Sequence, residues 1–310
     1  MTQTATKPPV AAATPTTERR SITPGRILAW VSLALVVLIT LFPFYWMLRT
    51  AFSNGRSLAA NSSNLLPADF TWGAFKRVLG LATLEEAQAE GGSGAAINFW
   101  LYLGNSVIVA TIITAGQVFF SAMAAYAFSR LRWPGRDKVF ALFLAALMIP
   151  PIFTMLPNYI LVRQLGLLDS YAGIILPFFF MTPFAIFFLR QFFLGISPEI
   201  EEAARLDGAG HFKIFLRVIL PMSTAPVATL AILTYIGAWN EYLWPLLVAT
   251  DDSRRVITVA LGIFRSQTPQ GAPDWPGLMA ATLLAAVPII ALFCIFGRKV
   301  VNNIQFSGIK

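Results

Sequence analysis

The chain has 310 residues, 56% of them hydrophobic and 12% charged, with a formal net charge of +8 and a single cysteine. Soluble domains carry about 25% charged residues, so the composition excludes an ordinary soluble enzyme or binding module and points to an all-α integral membrane protein. The positive balance sits in loops beside apolar runs, where orientation in a membrane accounts for it and no nucleic acid is needed as a partner. Cys294 lies inside an apolar run and offers neither an intrachain disulfide nor a metal cluster.

Residues 1–26, rich in Thr, Ala and Pro, have little to bury and are expected to form a disordered tail. The run 27–48 follows without a cleavage pattern and is expected to remain as the first span rather than act as a signal peptide. Five more runs, at about 100–128, 139–161, 171–193, 222–248 and 278–297, can each cross about 30 Å of hydrocarbon. A short tail, 298–310, closes the chain.

Six spans place both termini on one side. The tail, the 129–138 loop, the 194–221 loop with Arg190, and the C-terminal end hold 15 of the 23 Lys and Arg residues. That side is expected to be cytoplasmic, because basic residues in short loops set orientation. In the third run, MIPPIFTMLP (148–157) removes backbone donors and predicts a kinked or broken span.

Between the fourth and fifth runs the chain reads ISPEIEEAARLDGAGHFKIFLRVILPM. Ser197 suits an N-cap, Pro198 the first helical position, and Glu199, Glu201 and Glu202 the positive end of the helix dipole. Gly208 or Gly210 can end this helix with a positive φ, and Phe212 to Leu220 can resume it before Pro221. Ala203, Leu206 and Ala209 recur every three residues, giving a narrow apolar face that suits a groove on a partner or on the chain's own bundle.

The segment resembles the cytoplasmic loop signature of permease subunits in binding-protein-dependent ABC importers: EAA, three residues, G, nine residues, I, one residue, LP. Glu202, Ala203, Ala204, Gly208, Leu220 and Pro221 occupy its fixed places, with Val218 where the isoleucine stands. GNSVIVA (104–110), AAYAFSRLRWPGR (124–136) and WNEYLWPLLV (239–248) also resemble the sugar-importer branch, especially the smaller maltose-type permease. Against that pattern, LATLEEAQAEGGSGAA (81–96) looks like an insertion.

The resemblance implies a multi-pass subunit of a bacterial or archaeal cytoplasmic membrane that carries a sugar or oligosaccharide by alternating access. It implies a coupling helix between the fourth and fifth spans, seated on a cytoplasmic ATPase dimer, with Glu202 pairing a basic group there, Ala203 and Ala204 keeping the face low, and Asp207 with Gly208 shaping the bend. A second related permease and an extracytoplasmic sugar-binding protein facing loops 49–99 and 249–277 are the other implied partners, besides membrane lipid. ATP and Mg belong to the ATPase: this chain holds no G-x-x-x-x-G-K-[ST] and no acid, base or metal constellation, so it is expected to be neither an enzyme nor a cofactor or metal binder.

Asn240 and Glu241 interrupt an apolar run near the expected outer interface and read either as a hydrogen-bonded cap or as a gate or solute contact. Asn105 and Asn158 join them as candidate pathway residues, while Trp239, Tyr242 and Trp244 read as an interfacial aromatic belt. A secondary transporter or channel subunit that works without ATP is the alternative, and would need its own ion or proton site in mid-span.

Overall fold

The computed structural model describes residues 24–92, 97–266 and 273–306, with side chains described as far as residue 296. Most of the 1–26 tail and the side chains of the 298–310 tail lie outside the described residues. Apart from one antiparallel bridge between Ser53 and Phe70, the regular elements among the described residues are helices.

The chain divides between Trp46 and Met47 into two units. The first holds helix α1 (Pro24–Ala51) as far as Trp46, and its described residues up to Phe44 are exposed and overwhelmingly apolar. A surface of that kind is stable only under lipid or a partner. In the second unit, α2 (Gly55–Ala60), α3 (Gly73–Val78) and α4 (Leu84–Ala89) precede the long helix α5 (Phe99–Arg130).

The inserted stretch is structured over its described part. Thr83 and Glu86 form a reciprocal capping box at the start of α4. Glu90 then accepts from Thr71 Oγ1 at 2.8 Å and pairs with Arg77 at 3.2 Å, while the same guanidinium pairs with Asp274 at 3.1 Å. Asp274 also accepts the Gly277 amide at 2.8 Å, so one arginine joins α3 and the insertion to the start of helix α16 (Trp275–Phe306).

Helix α5 is the central post of the second unit, packing against α8 (Tyr171–Phe179), α9 (Pro183–Leu194) and α13 (Thr224–Asn240). Its buried positions include Ala110, Gly116, Ala122 and Ala125, small residues that let helices approach without an aqueous driving force. At Gly116 a Cβ would lie 2.3 Å from the Phe179 ring, so glycine is required for that crossing.

Three helix pairs are bent. Helices α6 (Arg136–Ala146) and α7 (Pro151–Gln164) meet at 97°, α8 and α9 at 43°, and the segment His211–Met222 meets α13 at 82°. The first bend falls at Pro150 and Pro151, where the expected break lies. At the second, Thr182 caps α9 through the Ala185 amide, with Pro183 in the first helical position. Among the described residues, three unbroken helices are long and apolar enough to cross a membrane, and up to six spans result if each bent pair counts as one.

After α13 the chain does not continue helically to Val248 as the 222–248 run suggested. Glu241 is extended, with φ −64° and ψ 128°, and a separate α14 (Leu243–Val248) follows, then α15 (Ile257–Ser266). Likewise α16 runs on to Phe306, past the expected end of the last span at 297.

The α7–α8 turn and the loop after α14 are joined by Asp169, which sits at φ 55°. Its carboxylate accepts from the Asp251 amide at 2.8 Å and from the Thr250 hydroxyl and amide. Those bonds, Asp251 first, hold the carboxyl below the usual range. A depressed folded-state value stabilises the protein above the ordinary carboxylate pKa of about 3.9 and loses that contribution as pH falls through the lowered value. Melting temperatures recorded from pH 6 to pH 3 should therefore fall more steeply for the wild type than for Asp169→Asn, and parallel curves would remove Asp169 from the acid response.

Candidate functional site

Helix α10 (Pro198–Leu206) and the turn after it form the first candidate region. Pro198 takes the first helical position, and Ser197 has the extended backbone of an N-cap, but its hydroxyl makes no capping bond. Gly208 ends the helix at φ 77°, its amide bonding to Arg205 O and the Ala209 amide to Ala204 O. Short α11 (His211–Ile214) then leads into a wider π turn, Phe215–Ile219, and α12 (Leu220–Met222). Helical backbone thus passes through Pro221 instead of stopping before it.

The two neighbouring glutamates on α10 have opposite fates. Glu202 is exposed, whereas Glu201 is 3% exposed. Glu201 Oε1 lies 3.1 Å from Arg130 Nε at the end of α5, and Arg205 flanks its second oxygen at 3.7 Å. The Arg130 guanidinium also donates to Phe193 O and Ile196 O at the end of α9. A single arginine thereby fastens the base of α10 to both α5 and α9.

The expected apolar face is only partly right. Leu206 is 90% exposed and Ala203 is exposed, but Ala204 and Ala209 pack inward on a core of Ala125, Leu189, Phe193 and Ile214. Leu220 packs on the same core, while Asp207 and Pro221 are exposed. The outward surface is therefore Glu202, Ala203, Leu206 and Asp207, beside a groove of about 870 Å³ whose rim includes Arg132, Arg136 and His211.

The expected pathway residues separate. Asn105 is 2% exposed; its Nδ2 donates to Ser253 O at 3.0 Å and Arg255 O at 2.8 Å, and its Oδ1 accepts from Tyr171 OH at 2.7 Å. With all three partners taken it braces the 249–256 loop. Asn158 is half-buried on α7, away from the others. Asn240 is exposed and folds back on Ile236 O at 2.8 Å.

Glu241 makes the capping bond and also borders a cavity. Its Oε1 accepts the Trp244 amide at 3.2 Å, capping α14, and its side chain also lines a cavity of about 280 Å³ between α5, α8, α13 and α14. Ser106, Gln117, Thr182 and Thr234 supply further polar groups there among Val109, Ile113, Ile174 and Phe178. Gln117 Nε2 donates to Thr182 Oγ1 at 3.2 Å, and the Thr182 amide donates to Ser121 Oγ at 3.3 Å. No group of three or more His, Cys, Asp or Glu that could hold a metal occurs among the described residues.

The aromatic belt is a correction. Trp239 and Trp244 are 4% and 2% exposed, inside two different apolar cores, and Trp244 Nε1 donates to Gly173 O at 3.2 Å. Only Tyr242 stays open. Trp239 packs from the inward face of α13, and Trp244 packs because the chain turns at Glu241 before α14.

The profile of the family described as "Binding-protein-dependent transport system inner membrane component" matches residues 117–305. The chain belongs to that family. Among its relatives are the probable ABC transporter permease protein YurM of Bacillus subtilis, 34% identical across 92% of this chain and 89% of its own length, and the arabinooligosaccharides transport system permease protein AraQ of Halalkalibacterium halodurans, 32% identical across 92% and 97%. The sn-glycerol-3-phosphate transport system permease protein UgpE of Salmonella typhimurium is 33% identical across 93% and 98%. A solved bacterial ABC transporter involved in import of the acidic polysaccharide alginate contains a chain that superposes with a TM-score of 0.76 at 24% identity, covering 90% of this chain and 97% of that one.

For this inner membrane component the family match contains α10, the α13–α14 turn and most of the cavity wall, but begins after Asn105. Gln117 is visible in the sequence as a polar position within a span, whereas Glu201, Arg130, Thr182 and Thr234 are not singled out there as candidate site groups. The only signal for Glu201 was a second carboxylate at a helix start, and choosing between adjacent positions requires knowing which face Arg130 meets.

Proposed function

We propose that the chain is the transmembrane permease subunit of an ATP-driven importer, carrying a sugar or oligosaccharide across a bacterial or archaeal cytoplasmic membrane by alternating access. Six spans, three of them bent, leave both termini and α10 on the cytoplasmic side. There α10 acts as the coupling helix on an ATPase dimer that supplies ATP and Mg chemistry. A second related permease completes the pathway, and an extracytoplasmic binding protein delivers the solute.

The observation that carries this reading is the construction of α10. Its outer surface presents Glu202, Ala203 and Leu206 to a partner, while Glu201 and Arg130 fix its base to two helices of the same unit. A seat of that kind passes force because the contact residues and the anchor residues are adjacent on one short rigid element. The relatives named as ABC transporter and arabinooligosaccharide permeases support an ATP-driven, sugar-carrying reading.

Glu202→Lys tests it directly. Uptake by the assembled importer should fall about tenfold or more, since reversing one partner of an interfacial charge pair costs several kcal/mol, with the chain still present in the membrane at wild-type level. Unchanged uptake together with unchanged ATPase activity would remove the coupling role. Solute flux through the purified chain alone in liposomes without ATP would replace the importer by a secondary transporter.

A further inference from the structure

The cavity between α5, α8, α13 and α14 has a chemistry more specific than a route for sugars in general. We propose that it is a solute subsite for neutral, hydroxyl-rich molecules, and that Glu241 makes it reject anionic ones. The proposal rests on the transport reading above and deepens it.

At about 280 Å³ the cavity is near the lower bound of ligand pockets, about 300 Å³, so it holds one small unit of a solute rather than a long chain. Its polar groups come from α5, the α8–α9 turn and α13. The Thr182 hydroxyl accepts from Gln117 and from the Ala185 amide, which directs its own proton outward; the Gln117 carbonyl and the Thr234 hydroxyl add an acceptor and a donor. Ser106 Oγ accepts the Ile257 amide at 2.8 Å, leaving its proton to donate. Paired donors and acceptors of this kind match vicinal hydroxyls, each of which gives one hydrogen bond and takes others. Phe178 and Ile174 provide apolar wall beside them.

Charge decides the class. Among the lining residues Glu241 is the one ionisable side chain, and none is Lys, Arg or His. Its Oε1 is engaged by the Trp244 amide, and no described residue hydrogen-bonds Oε2, so that oxygen is available to accept from a hydroxyl. A phosphate or uronate entering the same space would meet a carboxylate with no cation beside it, in surroundings where charges are weakly screened. On this proposal the chain takes neither the phosphate nor the acidic class of solute named for two proteins it is similar to.

Gly237 gives access for the test. It lines the cavity, and a Cβ built on it meets nothing within 4 Å, so a cysteine fits there without strain. In a Cys294→Ser background, Gly237→Cys would be purified with whatever accompanies it and treated with cationic and anionic methanethiosulfonates of similar size. The cationic reagent should react about fivefold faster or more, the factor one unit charge gives at about 4 Å even in water, and Glu241→Gln should bring the two rates close together. Arabinotriose, maltotriose or trehalose in excess should slow modification, and glycerol 3-phosphate or a mannuronate trisaccharide should not.

Equal or reversed reagent rates would overturn the proposal, as would protection by an anionic solute or by none of the neutral ones. If Gly237→Cys fails to accumulate, Ala238→Cys, which also lines the cavity and removes no polar group, gives the same readout. An isolated chain with no accompanying ATPase would sink the importer reading while the reagent ratio remained measurable. Failure of the ratio in an assembled, ATP-hydrolysing complex would sink the subsite alone.

Discussion

Glu201→Ala should lower the stability of the detergent-solubilised chain by about 3–5 kcal/mol, the loss usual when one partner of a buried ion pair is removed and the other stays uncompensated. The side chains of Arg130 and Glu201 are 8% and 4% exposed, and Arg130 keeps only the Phe193 and Ile196 carbonyls once the carboxylate is gone. The expected phenotype is little chain in the membrane and a melting temperature well below wild type. That contrasts with Glu202→Lys one residue later, where the chain persists and transport fails. The double variant Arg130→Met with Glu201→Leu should recover part of the stability, because removing both charges also removes their desolvation penalty. A Glu201→Ala protein melting with the wild type would show that water reaches the pair.

The second large effect is expected at Asn105→Leu. Leucine strands two loop carbonyls, Ser253 O and Arg255 O, together with the Tyr171 hydroxyl; a buried group left unsatisfied costs about 1–3 kcal/mol, and less at exposed Ser253, where water replaces the bond. Asn105 was a candidate pathway residue from the sequence, and this substitution separates the two roles. A bracing residue predicts early melting and faster proteolysis of the 249–256 loop, with neutral-sugar affinity unchanged in the fraction that folds. A pathway residue predicts normal melting and altered solute preference, and that result would return Asn105 to the translocation route.

These contrasts mark where reading from sequence stops. The apolar runs, the proline break at 150–151, the short charged helix and the left-handed Gly208 all follow from local rules: run length, missing donors, dipole preference and the freedom of a residue without Cβ. Glu201 and Glu202 look alike locally, yet successive helix positions point about 100° apart, and only the long-range placement of Arg130 distinguishes them. Trp239 and Trp244 were misread for a related reason. A belt presumes a straight span at the lipid surface; Trp239 instead faces the core from within α13, and the turn at Glu241, stabilised by the Trp244 amide and by Thr258 Oγ1 on the Glu241 carbonyl, folds Trp244 inward. The cavity was illegible because its polar groups come from α5, α9 and α13, each isolated in its own apolar run.

The unbroken α5 has a mechanical meaning beyond its packing. Asn105 near one end holds the 249–256 loop and Arg130 at the other holds α10, with no proline between them. At 1.5 Å per residue these grips are about 37 Å apart, so a lever pivoting at Arg130 through only about 5° sweeps the far end through about 3 Å, the length of one hydrogen bond. Tilting of α10 with α5 by that small angle would thus suffice to exchange the partners of Asn105, while the jointed helices on either side absorb the displacement at their bends.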